Sequence, residues 1–340
     1  MKQTHTTTRT WTDELRAHEA HIRRAPSAHN TQPWTLRHHR DEAVVGWDPA
    51  RELPAGDPTR RDLYLSLGAF IETALIVATD AGLAVRAEIG VDTDRRTVAR
   101  LLPADRPYDT PYTTRTVEAR GCHRGAYDPG RLTTRVLDQV AAQLNHTGLM
   151  ELAARELLRQ SRRADTWMWT TPPVVRELGH WLRLGDRRAE DGLTAPALAL
   201  TRLEALGLRA ALRAYRPLGG LGLPGVLARS QSALLDYDGS VLVLTGQPAG
   251  PEEMIDAGRD LVRTWYALTE LGYAVHPLSQ LIDCPRTAET LHRRVGARPL
   301  AVFRAGRPAG PVHRSARIAV DTPALRPVRR PSPPSAPTAP

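Results

Sequence analysis

Two stretches of this chain repeat one pattern: residues 60–89, RRDLYLSLGAFIETALIVATDAGLAVRAEI, and residues 251–275, PEEMIDAGRDLVRTWYALTELGYAV. In the first, Leu63, Leu67, Phe70, Ile71, Ala74, Leu75 and Ala78 recur at helical spacing and form one apolar face. Gly82 follows as a helix cap, and Leu83 to Ile89 reads as a strand. In the second, a helix over 251–271 is capped by Gly272 and leads into another strand. Both helices carry small residues, and they end in Ala81-Gly82-Leu83 and Leu271-Gly272-Tyr273. Such an echo does not have the period of a solenoid repeat. It predicts two similar α+β halves within one chain.

The remaining elements fit around these two units. Residues 11–24 read as an amphipathic helix with Trp11, Leu15, His18 and Ile22 on one face, ended by Ala25-Pro26. Residues 34–39 and 43–47 read as a strand pair, and 48–58 as loop. Residues 103–130, dense in Pro and Gly, read as a connector between the halves. Helices are expected at 131–144, 149–163, 173–183 and 194–215, and strands at 240–245 and 300–304. From Thr322 the chain is Pro-rich and is expected to be a disordered tail.

Composition limits the function classes. The 340 residues carry 46 Lys+Arg against 37 Asp+Glu, a formal charge of +9. The one lysine is Lys2, so 45 of those cations are arginines, scattered among acids as in Arg187-Arg188-Ala189-Glu190-Asp191. A nucleic-acid surface gathers its cations on one face, so no nucleic-acid partner is expected. Cys122 and Cys284 make no disulfide framework. No apolar segment follows the N-terminus as in a secretory leader, and no unbroken run of about 18 apolar residues occurs. The expectation is a cytoplasmic protein without a membrane partner.

The segment richest in chemistry is residues 24–34, RAPSAHNTQPW. It leaves a helix, forms a polar loop stiffened by Pro26 and Pro33, and enters a strand at Trp34. Asn and Gln amides offer both a donor and an acceptor, which suits the edge of a planar heterocycle. The same loop also reads as a capping turn with Trp34 tucked into the core.

Ala25-Pro-Ser-x-x-Asn30-x-Gln32-Pro33-Trp34 resembles the signature of the nitroreductase superfamily of FMN proteins. His29 before Asn30, then Asp48-x-x-Arg51-x-Leu53-Pro54-x-x-Asp57-Pro58-x-x-Arg61 and Ser66-x-Gly68-Ala69, resemble its Acg-type branch, found mainly in actinobacteria. Glu177-Leu-x-x-Trp181-Leu-Arg183, Ala257-Gly258-Arg259, Leu271-Gly272-Tyr273 with Pro277-Leu278-Ser279-Gln280, and Pro299 to Gly306 continue the likeness in order, over about residues 12–318. Leu300 stands where the family's closing pattern usually has Gln.

The resemblance implies an α+β, nitroreductase-like fold: a mixed sheet flanked by helices, with two nitroreductase-like halves fused. It implies a first half at 1–118 with the flavin loop, a second at 119–320 with a lid-like insert around 185–230, and the tail at 321–340. It implies one FMN per chain, NAD(P)H as a possible hydride donor, a small-molecule substrate, and a monomer with pseudo-dimeric halves or a loose homodimer. Carried over by position, Pro26, Ser27, Asn30 and Gln32 line the flavin ring and ribityl chain. Arg23 and Arg24, Arg120 and Arg124, and Arg304 are the phosphate candidates, and Pro277, Leu278 and Ser279 face the reactive edge of the ring. Asp48, Arg51, Asp57 and Arg61 are expected to hold the loop by ion pairs, and Ser66 to stand near the cofactor or serve only its helix. Trp167-Met168-Trp169 reads as core or as a stacking wall.

Gly220-x-Gly222-x-x-Gly225 has the spelling of a dinucleotide loop but follows a helical segment instead of a strand, so it reads as part of a lid. No metal motif is present: His38 and His39 are strand neighbours that point to opposite faces. The expected function is an FMN-dependent oxidoreductase in which the flavin carries the chemistry and no catalytic triad is needed. The alternative is an FMN-storing or sequestering protein with little turnover.

Overall fold

The computed structural model describes residues 10–218 and 233–320. The glycines at 220–225, the end of the lid-like insert and the tail from 321 lie outside the described residues. In chain order the helices are α1 (Trp11–Ala17), α2 (Glu19–Ile22), α3 (Arg61–Asp80), α4 (Thr114–Ala119), α5 (Thr134–Ala141), α6 (Leu158–Thr170), α7 (Pro172–Trp181), α8 (Arg202–Leu218), α9 (Pro251–Glu270), α10 (Gln280–Asp283) and α11 (Pro285–Val295). The strands are β1 (Trp34–His38), β2 (Ala43–Trp47), β3 (Val85–Asp92), β4 (Thr97–Pro103), β5 (Gly148–Ala153), β6 (Leu182–Arg183), β7 (Leu193–Thr194), β8 (Ser240–Thr245), β9 (Ala274–Pro277) and β10 (Pro299–Gly306).

Two four-stranded sheets share one topology. The first has the order β1-β2-β4-β3 and the second β5-β8-β10-β9, and all their strand pairs are antiparallel. Where a mixed sheet is expected, the only parallel contribution to these sheets among the described residues is an isolated bridge from Cys122 to Val275. In each half a 20-residue helix, α3 or α9, joins the second strand of the unit to the third. The halves differ in how the first two strands connect. A short turn joins β1 to β2, whereas β5 and β8 are separated by α6, α7, α8 and the small β6–β7 pair.

The two long helices close identically. Gly82 and Gly272 take φ of 76° and 77°, a left-handed turn that costs glycine little. Leu83 N–H then reaches back to the Ala78 carbonyl and Tyr273 N–H to that of Leu268, each at 2.8 Å. The helices also cross at matched positions. Gly68 and Gly258 are each the eighth residue of their helix, and Leu65 and Ile255 each the fifth. A Cβ on Gly68 would sit 1.9 Å from the Ile255 carbonyl oxygen, and one on Gly258 2.3 Å from that of Leu65. The contact is reciprocal, as in a two-fold dimer interface, but within one chain.

Polar groups pin the same crossing. Glu72 on α3 is fully buried and accepts from Arg259 Nε (3.0 Å) and from Arg263 Nε and Nη2 (2.8 and 2.9 Å) on α9. Thr73 Oγ1 and Tyr266 OH lie 2.8 Å apart across the two helices. By composition α3 is apolar enough to span a membrane, but it is enclosed by protein along almost its whole length. Trp34 belongs to the same core, stacked on Phe70 at 4.9 Å.

Residues 149–163 depart from the helix expected there. Their Leu, Glu, Ala and Arg favour helix locally, but Gly148–Ala153 pairs residue for residue with β8, and helix begins only at Leu158. Pairing with a buried neighbouring strand outweighs propensities of a few tenths of a kcal/mol per residue. The helix expected at 11–24 breaks at His18, and that at 194–215 begins at Arg202.

Gly68→Ala and Gly258→Ala should each destabilise the protein by about 1–3 kcal/mol or more, the cost of overpacking a tight contact. Gly207→Ala on exposed α8, where an added Cβ meets nothing, should be neutral or stabilising by up to about 1 kcal/mol. Urea unfolding of the three variants checks this; equal effects at all three positions would remove the crossing as a constraint.

Candidate functional site

A cavity of about 780 Å³ lies between the halves. The first half contributes Pro26 to Asn30 and the start of α3; the second contributes residues 120–127, the β9–α10 junction and β10. The insert between β5 and β8 adds Trp167, Met168 and Trp169, so all three residues of that run stand in the wall. Residues 313–317, a strap that returns to the first half after β10, close one side. A volume of this size accommodates a cofactor-sized ligand.

The loop before β1 is held in an uncommon shape. His29, Asn30 and Gln32 have φ of 48°, 56° and 52°, left-handed values that non-glycine residues adopt only where the surroundings impose them. Ser27 Oγ accepts from Gln32 N–H at 2.9 Å. Asn30 Nδ2 donates to the carbonyls of Gly192 (3.2 Å) and Ala316 (3.3 Å). Gln32 Nε2 donates to the Glu190 carbonyl at 2.7 Å, and its Oε1 accepts from Ile318 N–H at 3.0 Å. These two amides therefore clasp the insert and the strap to the loop. Asn30 still lines the cavity, but Gln32 stands behind the wall, away from where a ring-lining residue is expected.

Four guanidiniums gather at one end. Arg24, Arg120, Arg314 and Arg317 all line the cavity, with Glu118 as the nearby carboxylate. Arg314 pairs with Glu118, which also meets His21 at 2.9 Å. Arg317 donates to the carbonyls of Arg23, Arg24 and Ala25 at 2.8–3.2 Å. Arg120 is 4% exposed and donates to the Arg24 carbonyl at 2.7 Å. The Nε atoms of Arg24 and Arg120 are buried without a hydrogen bond, that of Arg24 lying 3.7 Å from Glu118 Oε2. Burial and the neighbouring cations hold Arg24 below the usual guanidinium range and Arg317 far below it. A cluster in this state is stabilised by an added anion. Arg314 and Arg317 carry no local sign of the role, since nothing near them in sequence says where an unstructured strap runs.

The other expected cations behave differently. Arg23 pairs with Glu19 and is not in the wall. Arg124 lines the cavity and donates to the Ala197 carbonyl at 3.0 Å. Arg304 lines it too, but its guanidinium is spent on protein: Nε on His276 Nδ1 (2.9 Å), Nη1 on the Leu234 carbonyl (2.9 Å), Nη2 on those of Arg124 and Gly125 (3.1 and 2.6 Å). It also lies over the Tyr127 ring at 4.5 Å. Pro277, Leu278 and Ser279 line the wall, and Leu278 N–H is taken by the Val302 carbonyl at 2.7 Å.

A buried acidic knot forms at the start of α3. Arg61 Nη2 donates at 2.8 Å to both Asp62 and Asp283, and Asp57 accepts from Leu63 N–H at 2.9 Å. Burial, reinforced by the charge of Asp62, pushes Asp57 up to about 7. Burial also pushes Asp283 up to about 7, against the pull of Arg61. Arg61, Asp62 and Asp283 face the cavity. Arg51 pairs with Asp48 at 3.8 Å and Asp191 at 3.3 Å, the loop-holding role expected of it. Ser66 lines the cavity while donating to the Asp62 carbonyl at 2.6 Å. Among the described residues no cluster of His, Cys, Asp and Glu could hold a metal.

No family model matches this chain, and no curated protein matches it. Among solved structures it is similar to a nitroreductase with bound FMN from Bacteroides fragilis, at 12% identity over 62% of this chain and 97% of that one, with a TM-score of 0.36. It is also similar to the FMN-dependent nitroreductase NfnB from Mycobacterium smegmatis in complex with NADPH, at 18% identity over 57% of this chain and 86% of that one, with a TM-score of 0.32.

The raised carboxyl of Asp283 means that the folded protein binds more protons than the unfolded chain between about pH 4 and 7. Stability from this group is therefore fully present at the acid end and falls as pH rises through that window. Asp283→Asn should lose that dependence, so its stability relative to wild type should rise from pH 4 to 7. Urea unfolding of both proteins across the window tests this; a constant difference would contradict it.

Proposed function

We propose that this chain is an FMN-dependent oxidoreductase of the nitroreductase type, working as a single chain whose two halves build one cofactor cavity. The observation that carries the reading is the cavity between the halves with four guanidiniums at one end. FMN is a flat ring joined by a flexible chain to a phosphate, and the residues present fit both ends. Arg24 and Arg120, whose buried Nε atoms make no hydrogen bond, would hold the phosphate, while Arg317, its nitrogens taken by backbone carbonyls, would add positive charge beside it. Pro26, Ser27 and the Leu278–Ser279 wall would border the ring, as the motif resemblance implies. Leu65, Leu261, Trp265 and Leu300 supply the apolar lining that keeps water from it.

When bound, FMN supplies reversible hydride transfer at its ring. The protein's part is to bind, orient and exclude water. Asn30 and Gln32 do this indirectly, by locking residues 190–192 and 316–318 over the loop and so shaping one wall. The substrate is a small organic donor or acceptor, with NAD(P)H as a possible partner in the exchange. The same clasp favours a second reading, a flavin-sequestering protein whose closed wall keeps partners from the ring.

Arg120→Met should raise the FMN dissociation constant about 10- to 100-fold, because a hydrogen bond to a charged group contributes about 1.5–3 kcal/mol. Fluorescence titration with FMN measures this, and unchanged affinity would remove the cluster as the phosphate site. Anaerobic mixing of the FMN-loaded protein with NADPH separates the readings. Bleaching of the flavin within seconds supports the enzyme, and an unreactive flavin supports sequestration.

A further inference from the structure

His276 and Arg304 are directly opposed on the antiparallel strands β9 and β10. His276 is 8% exposed and stands in the cavity wall. Its Nδ1 lies 2.9 Å from Arg304 Nε. A guanidinium N–H can only donate, so Nδ1 must accept and the ring proton must sit on Nε2. Arg304 cannot turn away, because its other nitrogens are committed to the carbonyls of Leu234, Arg124 and Gly125 and its face to Tyr127. His276 lines the cavity with Nδ1 turned to Arg304, and Nε2 bonds no described group. Burial and the charges of Arg124, Arg304 and His123 hold the ring far below the usual histidine range, which agrees with a neutral imidazole.

Four residues on, Gln280 is oriented in the converse sense. Its Nε2 donates to Asp165 Oδ1 at 3.3 Å, and Asp165, itself fully buried, is bonded on Oδ2 by Ser161 Oγ at 3.2 Å. A carboxylate accepts only, so the Gln280 amide nitrogen is turned to Asp165 and Oε1 is left for the cavity, which Gln280 also lines. A buried guanidinium behind one residue and, above the value of about 6 to which burial raises Asp165, a buried carboxylate behind the other thus set opposite polarities on one short stretch of wall.

We propose that His276, held by Arg304 as the tautomer protonated on Nε2, is a specificity-determining donor that acts with the Gln280 acceptor to recognise a ring edge bearing a carbonyl beside an N–H. This deepens the flavoprotein reading and rests on it for the choice of probes. Two ligands of that reading carry such an edge: the imide of the flavin ring and the carboxamide of nicotinamide. An apolar surface or a lone acceptor would leave one of the two wall groups unsatisfied, which is the basis of discrimination.

The test combines a spectroscopic and a binding measurement on the full chain. In ¹⁵N spectra of histidine-labelled protein, with His276 assigned by its loss in His276→Asn, the ring should show protonated Nε2 and bare Nδ1 at both pH 6 and pH 8. Protonation on Nδ1, or an imidazolium, would overturn the proposal. His276→Asn keeps an acceptor for Arg304 but no longer reaches into the cavity, whereas His276→Gln returns an N–H near the Nε2 position. Loss of one neutral hydrogen bond corresponds to about tenfold in affinity. His276→Asn should therefore weaken one ligand about tenfold, with His276→Gln recovering most of it. Weakened FMN assigns the imide, and weakened NADP⁺ with unchanged FMN assigns the carboxamide. Wild-type affinity of His276→Asn for both probes overturns the proposal. Failure of the wild-type protein to take up FMN is a separate result that counts against the cofactor reading, and the ¹⁵N and NADP⁺ measurements then decide the role of His276 alone.

Discussion

The close crossing of α3 and α9 is the constraint on which the rest of the molecule depends. Backbone meets backbone at Gly68 and Gly258, so each helix can approach the other only where a side chain is missing. The eighth residue of one helix lies against the fifth of the other, and the reverse, so the contact fixes separation and rotation together. Each helix joins two strands of its own sheet, and locking the helices therefore places the two sheets. The cavity is what remains between the halves. Buried Glu72, satisfied by Arg259, Arg263 and Tyr108, adds specificity to the crossing, because any slip would strand a charge away from water.

Symmetry ends at the functional site. The first half supplies a strained loop, and the second supplies the β9–α10 wall, the strap and the insert. The cavity is also electrically uneven, with a cluster of guanidiniums in one part of its wall and the carboxyls of Asp62 and Asp283 beside Arg61 in another. The guanidinium excess orients a ligand that has one anionic end, a role that a symmetric pair of halves could not give to a single site.

The parts legible in the sequence are those set by local rules. The long helices, their glycine caps and the doubling of one α+β unit follow from apolar spacing and from the left-handed turns at Gly82 and Gly272. The cavity wall at Pro26, Ser27, Asn30, Arg24, Arg120, Arg124 and 277–279 follows from motif positions. What was not legible depends on distant partners. Strand β5 has a helix-favouring sequence and is a strand because β8 lies beside it. Gln32 has an amide that suits a ligand and a backbone equally well, and the structure spends it on Glu190 and Ile318. Arg304 has the charge of a phosphate ligand, but neighbouring carbonyls consume its donors. Arg314 and Arg317 enter the cation cluster because the strap folds back across the first half, which no local pattern announces.

In the proposed flavin site, built by two fused halves, the guanidinium cluster is the phosphate end. Comparing FMN with riboflavin, which lacks only the phosphate, tests it most directly. Titration of the purified, flavin-free protein should give one FMN per chain and a riboflavin affinity weaker by about 100-fold or more, the loss of two charge-assisted hydrogen bonds. Equal affinities for the two flavins, or no stoichiometric FMN binding, would contradict the account.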